Sequence, residues 1–171
     1  TQPVQLMDLD GNGVQEAVAF FRTTVTDDSP PLKIYIFQQT SEGDYTVRNI
    51  IEGDGTAIGY ISYVDLDGAT DAYGNTDKEL VVSWRLSDKI YRLMAYSLEG
   101  KEAAVILPAV SYTEYALIDM DKDNLQELVL LNLNTVEGIC QADYYDYRDG
   151  QMVLCSSAPF SNAITGLVSD S

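Results

Sequence analysis

The stretch LMDLDGNGVQEAVAFF, residues 6–21, concentrates two aspartates, an asparagine, two glycines and a glutamate into one short loop and then turns apolar. It returns as LIDMDKDNLQELVLL at 117–131, and as YVDLDGATDAYGNTDKELVVSW at 63–84, where an insertion separates the Asp-x-Asp start from the Glu-Leu-Val end. The leading aspartates Asp8, Asp65 and Asp119 set a period of 57 and then 54 residues. Self-similarity at about this spacing marks propeller blades and related arrays. Whatever one copy forms, the others form too.

Each copy reads as four strands. After the middle acidic loop come ELVVSWRLS, KIYRLMAYSLEG, KEAAVILPAV and YTEYALIDMD, and the last of these opens the next loop. The first copy gives EAVAFFRTT, PLKIYIFQQT, DYTVRNIIEG and AIGYISYVDLD, and the third gives ELVLLNLN, GICQADYYDYRDG, QMVLCSSAP and AITGLVSDS. The segments are short, rich in Val, Ile, Leu and Tyr with polar residues interleaved, and bounded by Gly, Asp, Ser or Pro, which is the strand signature. The turn strings SEGD (41–44), LEGK (98–101) and RDGQ (148–151) fall between the third and fourth strands of each unit when the strand before the acidic loop is counted first. No window keeps an apolar stripe at helical spacing without interruption by β-branched or turn residues. The expected fold is all-β: a propeller-like array of three four-stranded antiparallel blades at 1–55, 56–110 and 111–160, with 161–171 starting a fourth repeat. In that last segment, TGLVSDS aligns with ISYVDLD and YALIDMD, with Ser169 and Ser171 where the others carry aspartates, so the chain is expected to stop within a repeat. DSPP at 28–31 reads as a loop in which Pro30 and Pro31 block ladder pairing.

Composition narrows the function. With 27 acidic and 10 basic residues the formal charge is −17, which argues against nucleic acid and anionic membrane surfaces and toward cations or neutral ligands. No run approaches the about 20 apolar residues a membrane-spanning helix needs, so no membrane insertion is expected. Thr1 is not preceded by a basic and apolar leader, so any secretion signal is expected to have been removed or to lie outside the chain. Histidine is absent, as are a Gly-x-Ser-x-Gly elbow and a phosphate-binding glycine loop, and no catalytic residue is assigned. Cys140 and Cys155 share one hairpin around Arg148-Asp149-Gly150, on offset rows, and are expected to be free thiols. Trp84 and the tyrosines, notably YYDY at 144–147, fit either a carbohydrate-stacking platform or packing between blades.

The loop carries its own chemistry. Ca²⁺ takes six to eight oxygens, and alternate residues of a tight loop can aim theirs inward. Glycine at the sixth position permits a left-handed turn, and Asn124 in the third copy is the next most tolerant residue. An EF-hand needs a glutamate at position twelve between helices, whereas here that position is Ala19, Thr76 or Leu130, with strands following. A turn without metal remains the competing reading, since Asp and Asn cap their own backbone in tight loops.

The Asp-x-Asp-Gly-Asn-Gly-x-x-Glu loop between two strands, repeated at blade spacing over essentially the whole chain, resembles the FG-GAP and VCBS family of β-propeller repeats, the architecture of the integrin alpha-subunit head and of many bacterial secreted proteins. The resemblance implies calcium held by alternate loop positions: Asp8, Asp10, Asn12, the carbonyl of Val14 and Glu16 in the first copy, and Asp119, Asp121, Asp123, the carbonyl of Leu125 and Glu127 in the third. In the middle copy the series Asp65, Asp67 is interrupted and resumes around Asn75, Asp77 and Glu79. The final acid is Glu where the family usually has Asp, one methylene longer. The expected function is a non-catalytic extracellular or cell-surface binding module for a protein or glycan partner, with self-association invited by open blade edges. The alternative is a non-catalytic part of a larger propeller enzyme, hydrolase or lyase, whose active residues lie outside this chain.

Overall fold

The computed structural model describes residues 2–22, 32–53 and 55–161. Residues 28–31 and 162–171, the proline loop and most of the fourth-repeat start, lie outside the described residues. The described chain is all-β, in three four-stranded antiparallel sheets whose strands follow one another in chain order. The first sheet contains β1 (Val4–Met7), β2 (Glu16–Arg22), β3 (Leu32–Gln39) and β4 (Tyr45–Gly53). The middle sheet contains β5 (Ala57–Val64), β6 (Glu79–Ser87), β7 (Ile90–Ser97) and β8 (Ala104–Ser111). The last contains β9 (Glu114–Ile118), β10 (Glu127–Asn134), β11 (Ile139–Arg148) and β12 (Gln151–Ser161).

Period-two alternation explains how the sheets stack. Val18 and Phe20 of the first sheet pack with Leu80, Val82 and Trp84 of the middle sheet, joined by Ile34, Ile36, Ile51 and Tyr96. Val81, Leu93 and Ala95, on the other face of the middle sheet, pack with Leu128, Leu130 and Met152 of the last. Glu16, Glu79 and Glu127 occupy equivalent positions, so the face bearing the second residue after the glutamate always meets the face bearing the first residue after it on the next sheet. We call these the front and the back. Among the described residues only the middle sheet is covered on both, which is why β6 is buried at six successive residues whereas β2 and β10 are buried at no more than two in succession.

Three details fix the first interface. The Trp84 indole is fully buried, and a Cβ on Gly53 would stand 2.2 Å from its ring, so the absence of a side chain at Gly53 is what admits the indole. Trp84 Nε1 donates to the Tyr96 hydroxyl at 3.3 Å, which satisfies the buried N–H. Asn49, also buried, donates from Nδ2 to the Gly100 carbonyl across the same interface. Trp84 is therefore a packing residue with no surface to offer a sugar, and Tyr145 and Tyr147 of the YYDY stretch pack against the second core cluster.

Among the described residues the two terminal faces carry exposed apolar side chains. On the back of the first sheet, Leu6, Phe21, Val47 and Ile50 are each about half exposed, and Phe21, Tyr35 and Phe37 form a row of ring contacts at 5.2 and 6.1 Å. On the front of the last sheet, Ile118 and Phe160 are similarly exposed. Both cysteines are free: Cys140 is buried opposite Phe160, and Cys155 lies in the bulge opposite Tyr144 and Tyr145. The β11–β12 turn is two residues long, with Asp149 and Gly150 both at positive φ, the geometry that matches the right-handed twist of a hairpin.

Candidate metal sites

The three acidic loops join equivalent strands, β1 to β2, β5 to β6 and β9 to β10, and so emerge at one end of the stack. Backbone bonds tie them together: the Lys78 amide donates to the Leu9 carbonyl at 2.7 Å, and the Gln126 amide to the Asp65 carbonyl at 3.0 Å. Gly11 lies so close to the Thr76 carbonyl that an added Cβ would be 2.4 Å away, and the Leu125 side chain covers Gly68.

One bond recurs in every loop. The residue after the first aspartate donates its amide to the closing glutamate: Leu9 to Glu16 Oε2 at 2.8 Å, Leu66 to Glu79 Oε2 at 2.7 Å, and Met120 to Glu127 Oε2 at 2.6 Å. The glutamate is the first residue of the next strand, so its longer side chain reaches back across the loop. The first aspartate organises the turn by accepting amides, Gly13 in the first copy and Lys122 with Asn124 in the third. Alternate positions make Asx turns, Asp10 with Asn12, Asn12 with Val14, Asp121 with Asp123 and Asp123 with Leu125. Gly11 and Gly13 are both left-handed, and their counterparts Lys122 and Asn124 take the same region at φ 68° and 73°. The sequence pointed to Asn124 but not to Lys122, because lysine carries no such preference; its left-handed backbone is held by the hydrogen bond its N–H donates to Asp119 Oδ1.

The insertion in the middle loop folds out as a small turn around Asp71, which accepts from the amides of Tyr73 and Asn75 and from the Asn75 side chain, with Thr70 bridging to Thr76. The excursion returns the chain so that Glu79 meets Asp65 and Asp67 despite the extra residues. Asn75 is engaged with Asp71, whereas Asp77 is close enough to Asp67 for that charge to raise its pKa.

Ligand-capable oxygens of Asp119, Asp121, Asp123 and Glu127 all lie within 4.8 Å of one another, as do those of Asp8, Asp10 and Glu16 and those of Asp65, Asp67 and Glu79. Asn12 and the backbone of Val14 and Leu125 occupy the same loops; Val14 and Leu125 donate their amides to Asn12 and Asp123. The first cluster has a protein cation beside it, since Arg48 lies 3.6 Å from Asp10 and Gln38 also reaches Asp10.

The three closing glutamates and Asp77 shift in one direction, upward. Burial, reinforced by Asp67, Asp77 and Asp65, pushes Glu79 up to about 8 against the opposing Leu66 amide. Asp77 is raised to about 6 by burial and then by Asp67. Burial also lifts Glu16 and Glu127, with neighbouring aspartates adding to it. Glu16 and Glu79 are fully buried, yet only Oε2 of each is engaged; Glu16 Oε1, Glu79 Oε1, Asp8 Oδ1 and Asp77 Oδ2 have no hydrogen-bond partner among the described residues. A turn explains the engaged oxygens and leaves these over.

Comparison with protein-family models, with curated proteins and with solved structures gives no match, so the loop pattern and the sheet geometry stand on their own.

Proposed function

We propose that the chain is a non-catalytic binding module of the extracellular space or cell surface, in which calcium held by the acidic hairpins stiffens one end of a sheet stack that engages a protein or glycan. The observation that carries this reading is the set of buried carboxylate oxygens without partners in the first and middle loops. A buried carboxylate left unpaired is costly, and several together repel one another. A cation among them reverses both penalties. All donors are oxygens, with no histidine in the chain and no cysteine in the loops, which favours a hard cation. A flexible set of carboxylates and carbonyls suits Ca²⁺ better than Mg²⁺, which demands near-ideal octahedral geometry.

The test is a calcium titration followed by calorimetry and by melting temperature, with magnesium in parallel. A rise in melting temperature with calcium, small or absent with magnesium, is the expected result. No rise at millimolar calcium makes the loops turns alone.

The open faces extend the reading to self-association. Inside the chain, front meets back twice, so the front of the last sheet, open among the described residues, is matched in kind by the back of the first sheet of a second copy. Sedimentation is expected to show concentration-dependent association that Phe21→Asp with Val47→Asp abolishes. A monomer at all concentrations refutes it.

A further inference from the structure

Tyr60 and Ser62 of β5, Tyr91 of β7, and Tyr112, Glu114 and Tyr115 at the entry to β9 surround a cleft of about 590 Å³ between the middle and last sheets. The cleft lining extends along β9 from Glu114 to Leu117 but includes none of the residues of the acidic clusters. No lysine or arginine lines the cleft.

Its rings form walls at angles to one another. Tyr112 and Tyr115 meet edge to face, with centroids 5.3 Å apart and planes at 87°, and Tyr91 stands 6.2 Å from Tyr112, tilted at 51°. Both central phenols are anchored: Tyr112 is hydrogen-bonded to Ser83 and Tyr115 to Ser62. A Cβ at Gly59 would come within 2.8 Å of Ser83 Oγ and 3.1 Å of the Tyr91 ring, so the bare backbone there keeps Ser83 and Tyr91 in place. Burial holds Tyr112 up to about 12, leaving it a neutral phenol whose ring face carries the negative side of its quadrupole. Glu114, exposed beside it, supplies the only formal charge among the lining residues.

A sugar stacks on one flat, exposed ring and needs in-plane polar groups at its rim. Four tyrosines bordering one cleft that has no basic residue, with the charge of Glu114 near enough to act on Tyr112, suit a soft cation instead, which gains from each ring face it touches. We propose that this cleft binds an organic ammonium ion, with Tyr91, Tyr112 and Tyr115 as the walls, Tyr60 at the rim and Glu114 as the counter-charge. The ion comes either as a free quaternary ammonium or on an alkylated lysine of a partner protein.

The experiment is an aromatic NMR titration of the calcium-saturated protein at about 0.15 M salt, which screens diffuse attraction to the acidic surface. The probes are choline, a short peptide carrying trimethyllysine, and 3,3-dimethylbutan-1-ol, the uncharged isostere of choline. Choline is expected to shift the Tyr91, Tyr112 and Tyr115 ring signals, with the isostere at least about tenfold weaker, the ratio that a cation–π gain of roughly 1.4 kcal/mol gives. Glu114→Gln and Tyr60→Ala are expected to weaken choline binding about three- to tenfold. Tyr60 is 65% exposed and Glu114 lies on the surface, so neither variant removes core packing. Equal affinity for choline and the peptide assigns the site to the free ion, and tighter peptide binding assigns it to a modified lysine. The proposal is overturned if the isostere binds as well as choline, if the two variants bind choline unchanged, or if choline moves only acidic-loop signals. A calcium titration of the same variants reads the loops separately, so failure of one assignment leaves the other measurable.

Discussion

Replacing Glu79 by Gln separates what the fold needs from what a cation needs. The Leu66 amide still finds an oxygen, because a glutamine carbonyl can take the place of Glu79 Oε2. The charge disappears from a residue with no exposed surface. In chelator, the folded state raises the Glu79 pKa from 4.5 to about 8. A carboxylate raised on folding binds its proton more tightly in the native state, so its contribution to stability is most favourable below the unfolded value. It declines as pH rises through the interval between the two values and is flat above the folded one. That displacement corresponds to about 5 kcal/mol at most, since one pKa unit is about 1.4 kcal/mol. Glutamine escapes this penalty but leaves an amide N–H₂ where Oε1 stood without a partner, at a cost of about 1–3 kcal/mol. At pH 8 in chelator the variant is therefore expected to be more stable by about 2 kcal/mol, or about 4–8 °C in melting temperature for a chain of this size. Calcium at a hundredfold excess over its dissociation constant stabilises an intact site by about 2.7 kcal/mol, so the parent should match or overtake the variant when calcium is added. The assay is urea and thermal denaturation of both proteins at pH 5 and 8, in chelator and in calcium. A variant less stable than the parent at pH 8 in chelator refutes the charge argument, and an equal calcium response in both removes the middle loop from the metal sites.

Asp121→Asn with Asp123→Asn is expected to remove the last loop's share of the calcium-dependent rise in melting temperature while leaving the chelated protein unchanged or slightly more stable; retention of the full calcium response refutes this. Gly53→Ala is expected to destabilise by about 1–3 kcal/mol through overpacking against the Trp84 indole, read by urea denaturation and by a change in Trp84 fluorescence. Alkylation without reductant followed by mass spectrometry is expected to label Cys155 within minutes and Cys140 only on partial unfolding, because Cys140 is 4% exposed; a mass consistent with a Cys140–Cys155 disulfide contradicts it.

Strand by strand, the sequence was most legible where burial was greatest. ELVVSWRLS and ELVLLNLN coincide with β6 and β10, since a charged residue that closes a loop and the apolar run that follows leave little doubt about where a strand starts. The acid clusters were legible for the same reason, because alternate positions of a repeated loop must converge. The middle loop was harder: its insertion places Asn75 on Asp71, a local choice that no spacing rule reveals. The direction of stacking could not be read either. It depends on which alternate row of each strand faces which neighbour, and β6 is apolar on both. The tyrosine cleft was missed because its walls come from β5, β7 and the β8–β9 connection, and only the short SYTEY stretch at 111–115 hints at it.

Among the described residues, every strand pairs with the strand just before or just after it in the chain, and no sheet borrows a strand from another. The longest wait for a pairing partner is therefore a loop, never a domain. Such a chain can complete each sheet as synthesis proceeds, in order from the amino terminus, with the ordering entropy spent in small local instalments. What cannot be completed locally is the covering of each new sheet. A nascent unit shows a bare apolar face until the next one arrives, so the interval between successive repeats, rather than the search for strand partners, is when this protein is exposed to misassociation.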